Sequence, residues 1–150
     1  MTYLDSARSF QGGKTFLALE QTIHEEHQSL ASQIDIVSQA LGKTPFNKNE
    51  VVSALREVLK ITKTHFQHEN TLMEVSNFSG RLNHERDHAY LVKGLSEYIG
   101  FLVDEALPVS PALGEYLKSW VIYHERKFDY PLLEIFEPSN GCTTGYHAVP

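Results

Sequence analysis

Residues 65–88 read HFQHENTLMEVSNFSGRLNHERDH, a stretch in which His65-x-x-x-Glu69 and His84-x-x-x-His88 flank the turn-forming residues Asn77, Ser79 and Gly80. Positions four apart fall on nearly one face of a helix, at about 100° per residue, so each pair presents two donor atoms side by side. The spacing alone is weak evidence: with eight His and nineteen acidic residues in 150, chance supplies about one such His-acid pair. The neighbouring residues decide the reading. Val51, Leu55, Val58, Thr62, His65, Glu69 and Leu72 follow an alternating four-three spacing, and His84, His88, Leu91, Leu95, Tyr98 and Leu102 repeat it. Both pairs therefore continue the inward stripe of a bundled helix, where imidazoles and carboxylates need buried partners.

Two further helices flank this pair. Ile23, His27, Leu30, Ile34, Val37 and Leu41 carry the same spacing from about Thr15 to Leu41, with Gly42 placed to stop the helix. After the connection 43–46, Asn47 and Glu50 have capping-box spacing and open a second helix that should run to about Val75. The third helix spans about Leu82 to Glu105, with Gly94 and Gly100 as weak points, and Pro108 follows it. Ser110-Pro111 reads as an N-cap and first-turn proline for a fourth helix along Leu113, Leu117, Trp120, His124 and Phe128, which Pro131 should kink. Four amphipathic helices joined by short loops predict an all-α, antiparallel up-down-up-down four-helix bundle. The expected organisation is an N-terminal arm at 1–14, the bundle at 15–137 and a tail or linker at 138–150.

Bulk composition narrows the partners. A net charge of −6, a pI near 5.7 and the lack of a basic stripe argue against nucleic acid. No apolar run approaches the roughly twenty residues of a membrane span, and no signal-peptide pattern opens the chain. The single cysteine, Cys142, has no internal disulfide partner. A soluble, cytoplasmic protein with no membrane partner is expected.

Of the seven helical histidines, a four-three stripe should hold roughly two by chance; it holds His27, His65, His84, His88 and His124. His24 and His68 fall off the stripe and are expected to be exposed, as is the face carrying Glu25, Glu26, Glu85, Arg86 and Asp87. A lone core histidine is usually satisfied by a hydrogen bond. Five together lack acceptors, since only Glu69 and Asp129 stand near, whereas divalent metal satisfies them all. Five imidazoles and two carboxylates exceed the four to six ligands of one ion, so the centre should be binuclear, with iron, manganese, cobalt or zinc favoured over calcium or magnesium. Asp129 is the weakest member on spacing: five residues beyond His124, it would be turned by about 140° on an α-helix and would ordinarily be solvated.

These residues resemble the hemerythrin family. Its lone His, His-Phe-x-x-Glu, His-x-x-x-His, and Trp followed by His-x-x-x-x-Asp correspond here to His27, His65-Phe66 to Glu69, His84 to His88, and Trp120, His124 to Asp129. The departures are Asn70, where an acid often follows the bridging Glu, and Phe78-Ser79, where many members carry Tyr-Pro. The resemblance implies two iron ions, ferrous or ferric, with an oxo or hydroxo bridge. One would be held by His84, His88 and His124 and the other by His27 and His65, with Glu69 and Asp129 spanning both. The two-histidine iron would keep a position open for dioxygen, O2, and Phe66, Leu91 and Trp120 would form a dry wall around it. Reversible O2 binding by a protein that is not an enzyme is the implied function, as a carrier or delivery protein or as an O2- or redox-sensing input module of a larger signalling protein with an output domain. An oxidase or peroxidase would need a positioned acid or base, and none stands out in the sequence beyond the ligands.

Overall fold

The four stripes fold as helices. The computed structural model describes residues 16–136, and the expected arm at 1–14 and the tail at 138–150, with Cys142 and His147, lie outside them. Helix α1 spans Phe16–Gly42, α2 Lys48–Val75, α3 Arg81–Val103 and α4 Leu113–His124. A π-helical turn, Glu125–Asp129, then leads into the short α5, Tyr130–Glu134. No strand occurs among the described residues, and none of their helices is long and apolar enough to cross a membrane. The result is an all-α four-helix bundle in which α1 packs on α2 and α4, and α2 packs on α3.

Local chemistry sets the helix ends. Asn47 Oδ1 accepts from the backbone N–H of Asn49 at 2.9 Å and of Glu50 at 3.4 Å, so two free donors of the first turn of α2 are satisfied. The Glu50 carboxylate pairs with Lys43. At the other end of α2 the Phe78 N–H bonds to the Met73 carbonyl and the Asn77 N–H to that of Glu74, with Asn77 at φ 51°. This is a Schellman closure, and Asn tolerates the left-handed conformation it requires. Phe78 also packs on the apolar cluster that holds Met73. Helix α3 ends in the same way, with Glu105 at φ 58°. Ser110 does not cap α4 directly, as its spacing suggested. Its carbonyl closes an i→i+3 turn with the Leu113 N–H and its hydroxyl accepts from Ala112 at 3.3 Å, so the helix begins after that turn.

Two apolar clusters fill the bundle. The larger contains Leu30, Ile34, Val37, Leu55, Val58, Leu95, Leu102 and Leu117, and the smaller contains Leu19, Ile23, Leu72, Met73, Leu132 and Leu133. On every helix that reaches both, the polar stripe residues fall between them in sequence, so a polar layer divides the core.

Close approach of α1 and α4 depends on Gly114. A Cβ there would overlap Ser38 Oγ and lie 3.2 Å from Ser38 Cβ and 3.4 Å from its Cα. Overpacking of this kind costs about 1–3 kcal/mol, more than the roughly 0.5–1 kcal/mol that Ala gains over Gly in a helix. Gly114→Ala should therefore lower the thermal midpoint, and adding Ser38→Ala should restore part of the loss; an unchanged midpoint in Gly114→Ala would show that the helices can part freely.

Candidate metal centre

The dividing layer is made by His27 from α1, His65 and Glu69 from α2, His84 and His88 from α3, His124 from α4 and Asp129 from the π turn. His27 keeps 12% of its side-chain surface exposed and the others 5% or less. All five imidazoles turn Nε2 inward. Glu69 Oε2 lies 2.9 Å from His88 Nε2 and 3.4 Å from His84 Nε2, while Oε1 lies 3.4 Å from His65 Nε2 and 4.0 Å from His27 Nε2. Asp129 repeats the division: Oδ1 is 3.0 Å from both His84 and His124 Nε2, and Oδ2 is 3.0 Å from His27 Nε2. Each carboxylate thus turns one oxygen to a three-histidine group and the other to a two-histidine group. The donor atoms of Glu69, His84, His88, His124 and Asp129 lie within 4.8 Å of one another, as do those of His27, His65, Glu69 and Asp129. Either group could hold a metal ion.

Asp129 reaches the layer because the helix widens just before it. The Tyr130 N–H bonds to the Glu125 carbonyl, an i→i+5 closure that brings a residue five along back beneath its start. Pro131 supplies a reason for the break: it has no N–H for the Lys127 carbonyl, and its ring crowds that carbonyl in α geometry. The kink expected at Pro131 is this widened turn, and it carries Asp129 from the solvent side to complete burial.

Hydrogen bonding alone leaves the layer unsatisfied. Glu69 Oε1 and Asp129 Oδ1 are buried with no aligned partner, and His84 and His124 face each other Nε2 to Nε2 at 3.3 Å, where only one proton fits. A cation is what such converging lone pairs accommodate, so the donor set fits metal. Three of the five outer nitrogens have the acceptors that metal-binding imidazoles need: His124 Nδ1–H donates to Asp87 at 2.6 Å, His88 Nδ1–H to Asn70 Oδ1 at 2.8 Å, and His65 Nδ1–H to Glu26 at 3.2 Å, while His84 Nδ1 is buried without one.

Two of these backing groups, and a histidine beside one of them, correct the sequence reading. Glu26 and Asp87 are half-buried supports of the layer and not members of a solvated face, and His68 is half-buried on Glu26 at 2.6 Å. His24 is exposed, as expected. The spacing did carry a signal: Ile23-Glu26-Leu30 and His84-Asp87-Leu91 leave and rejoin the main stripe at three-four spacing, and Phe66-Asn70-Met73 is a four-three line beside it. Glu125 was also missed. It borders a cavity of about 10 Å3 together with His27, Leu30, His65, Phe66, Trp120, Val121, His124 and Asp129, and burial raises its carboxyl. That volume is on the order of one water molecule. Phe66 stacks on His88 at 3.7 Å between ring centroids. Leu91, placed by the sequence on the same wall, lines a larger cavity on the other side of Trp120.

Charge in the layer is balanced by protons when metal is withheld. Burial pushes the His124 imidazole down, but the nearby carboxylates of Asp129 and Glu69 outweigh it and hold its pKa at about 10. His65 and His84 are raised against burial by the same carboxylates, whereas burial prevails at His88 and lowers it. Burial would raise Glu69 and Asp129, but the imidazoles hold both far below the usual carboxylate range. A raised His favours the folded state below its unfolded value of 6.5 and loses that contribution as pH climbs through its folded value. Metal-free protein should thus become easier to unfold between pH 6.5 and 10. Urea midpoints at pH 6, 8 and 10 check this, and a midpoint that rises with pH would contradict the proton-filled layer.

Similar proteins exist among characterised ones. The chain is 25% identical over 116 residues to a myohemerythrin of Riftia pachyptila, spanning 77% of this chain and 84% of that one. It is 28% identical over 76 residues to a myohemerythrin of Sipunculus nudus, spanning 51% and 58%, and 23% identical over 116 residues to a hemerythrin of Themiste dyscrita, spanning 77% and 84%. No protein-family model matches the chain, and no solved structure gives a significant match.

Proposed function

Because the chain is a relative of the hemerythrins, we propose that it binds dioxygen reversibly at a non-heme di-iron centre and is not an enzyme. The observation that carries the reading is the shared pair of carboxylates, each dividing its oxygens between a three-histidine and a two-histidine group. In this assignment His84, His88 and His124 hold one iron and His27 and His65 the other, with Glu69 and Asp129 spanning both. Two such irons supply the electrons that O2 takes up on binding and returns on release. The protein's part is to hold the donors rigid and the site dry. Asp87, Asn70 and Glu26 fix three ring orientations through Nδ1. The small cavity lies against His27 and His65, the group with fewer ligands, and Phe66 and Trp120 close it with apolar surface that excludes bulk water.

The carrier or delivery role needs nothing more than this. One observation favours a sensory role beside it: Asp129 stands in the π turn that joins α4 to α5. A change in how the metals pull on Asp129 would be passed directly to α5 and to any signalling output domain beyond. Hydrogen exchange over 125–134, compared between reduced and oxygenated protein, separates the roles: altered protection there supports sensing, and identical protection supports a carrier.

Iron-reconstituted protein should hold two irons per chain and show an absorption band in air that disappears on deoxygenation. Failure of either result overturns the di-iron reading. His88→Ala should keep at most one iron. Asp87→Asn should fold normally yet bind iron about tenfold more weakly or worse, since His124 loses its anionic acceptor; unchanged iron affinity would remove Asp87 from the support of the site.

A further inference from the structure

Between α3 and α4 the bundle leaves a half-open cavity of about 470 Å3, and no charged side chain lines it, although 21% of the chain is charged. Leu91 and Leu95 form one wall, Leu113 and Leu117 the other, and Tyr90 and Tyr116, 74% and 68% exposed, stand at its mouth. We propose that this cavity is a binding site for a small, uncharged, mainly apolar molecule carrying one hydrogen-bond acceptor. The volume falls in the range of small-molecule pockets, roughly 300–1,000 Å3, and the lining has their character, apolar walls with a few polar groups. One of those groups is an unspent donor. Tyr98 Oη accepts from the Ser110 N–H at 3.5 Å, which leaves its own proton free. A charged ligand would lose its hydration here with no opposite charge to meet it.

Gly94 contributes the space. It lies inside α3, where glycine weakens a helix relative to alanine, yet nothing stands within 4 Å of where its Cβ would be. Packing does not require the glycine, and because Gly94 is an exposed residue on the lining, a bulky side chain there is placed to narrow the cavity mouth. Trp120 borders both this cavity and the smaller one beside His27 and His65, so an occupant is felt at the wall of the metal layer.

Trp120 is also the sole tryptophan, and its fluorescence reads the site directly. The full chain is titrated with cyclohexanol and, at pH 7, with cyclohexanecarboxylate. The expected result is a saturable fluorescence change with cyclohexanol and at least tenfold weaker binding of the carboxylate. Gly94→Leu should weaken cyclohexanol binding at least tenfold, and Gly94→Ala, which places only a methyl group there, by a smaller factor that remains readable should the Leu variant fail to fold. Gly100→Leu, whose Cβ also meets open space but lies outside the cavity, should bind as the parent does. A parent protein with no saturable response, or Gly94 variants that bind unchanged, would overturn the proposal. So would a parent dimer that Gly94→Leu dissociates, since the occupant would then be a second copy of the chain.

Discussion

Two carboxylates buried in the middle of a helical bundle set the terms for everything around them. Glu69 and Asp129 have no exposed surface, and an ionised carboxylate in such a place is tolerated only when cationic or donor groups surround it. Five imidazoles do so, from all four helices, and the apolar core is split into two clusters to make room for them. Protons can balance the charge, which is why His124 is held near 10. They do not satisfy the geometry, because one buried oxygen of each carboxylate still lacks an aligned partner. The helices therefore meet around a layer whose donors suit metal better than one another.

Much of this was legible in the sequence because burial and helical period are the same signal. The stripes placed the bundle and the five imidazoles, and the cap residues placed the ends of α2 at Asn47 and Val75 as the structure has them. Asp129 was readable only through the family resemblance. Its spacing from His124 presumes a regular ladder, and a single i→i+5 closure overrides that presumption. The backing groups were misread for a different reason. Glu26 and Asp87 are charged and sit beside the stripe, where solvation is the ordinary outcome, and only the presence of an imidazole N–H opposite makes them part of the core.

The bundle is also uneven in a way that the stripes do not reveal. Helices α1 and α4 come close over Gly114, whereas α3 and α4 stand apart around Gly94 and the apolar cavity. Helical spacing tells which face turns inward but not how near the facing helix comes. Trp120 sits where the two consequences meet, between the open cavity and the small one at the two-histidine side of the layer.

Anomalous diffraction at the iron edge, from crystals of iron-loaded protein, addresses the layer most directly. Two peaks are expected, one within bonding distance of His84, His88 and His124 and one within bonding distance of His27 and His65, with an oxygen of Glu69 and of Asp129 on each. A single peak, or two peaks that leave either carboxylate out, would contradict the arrangement.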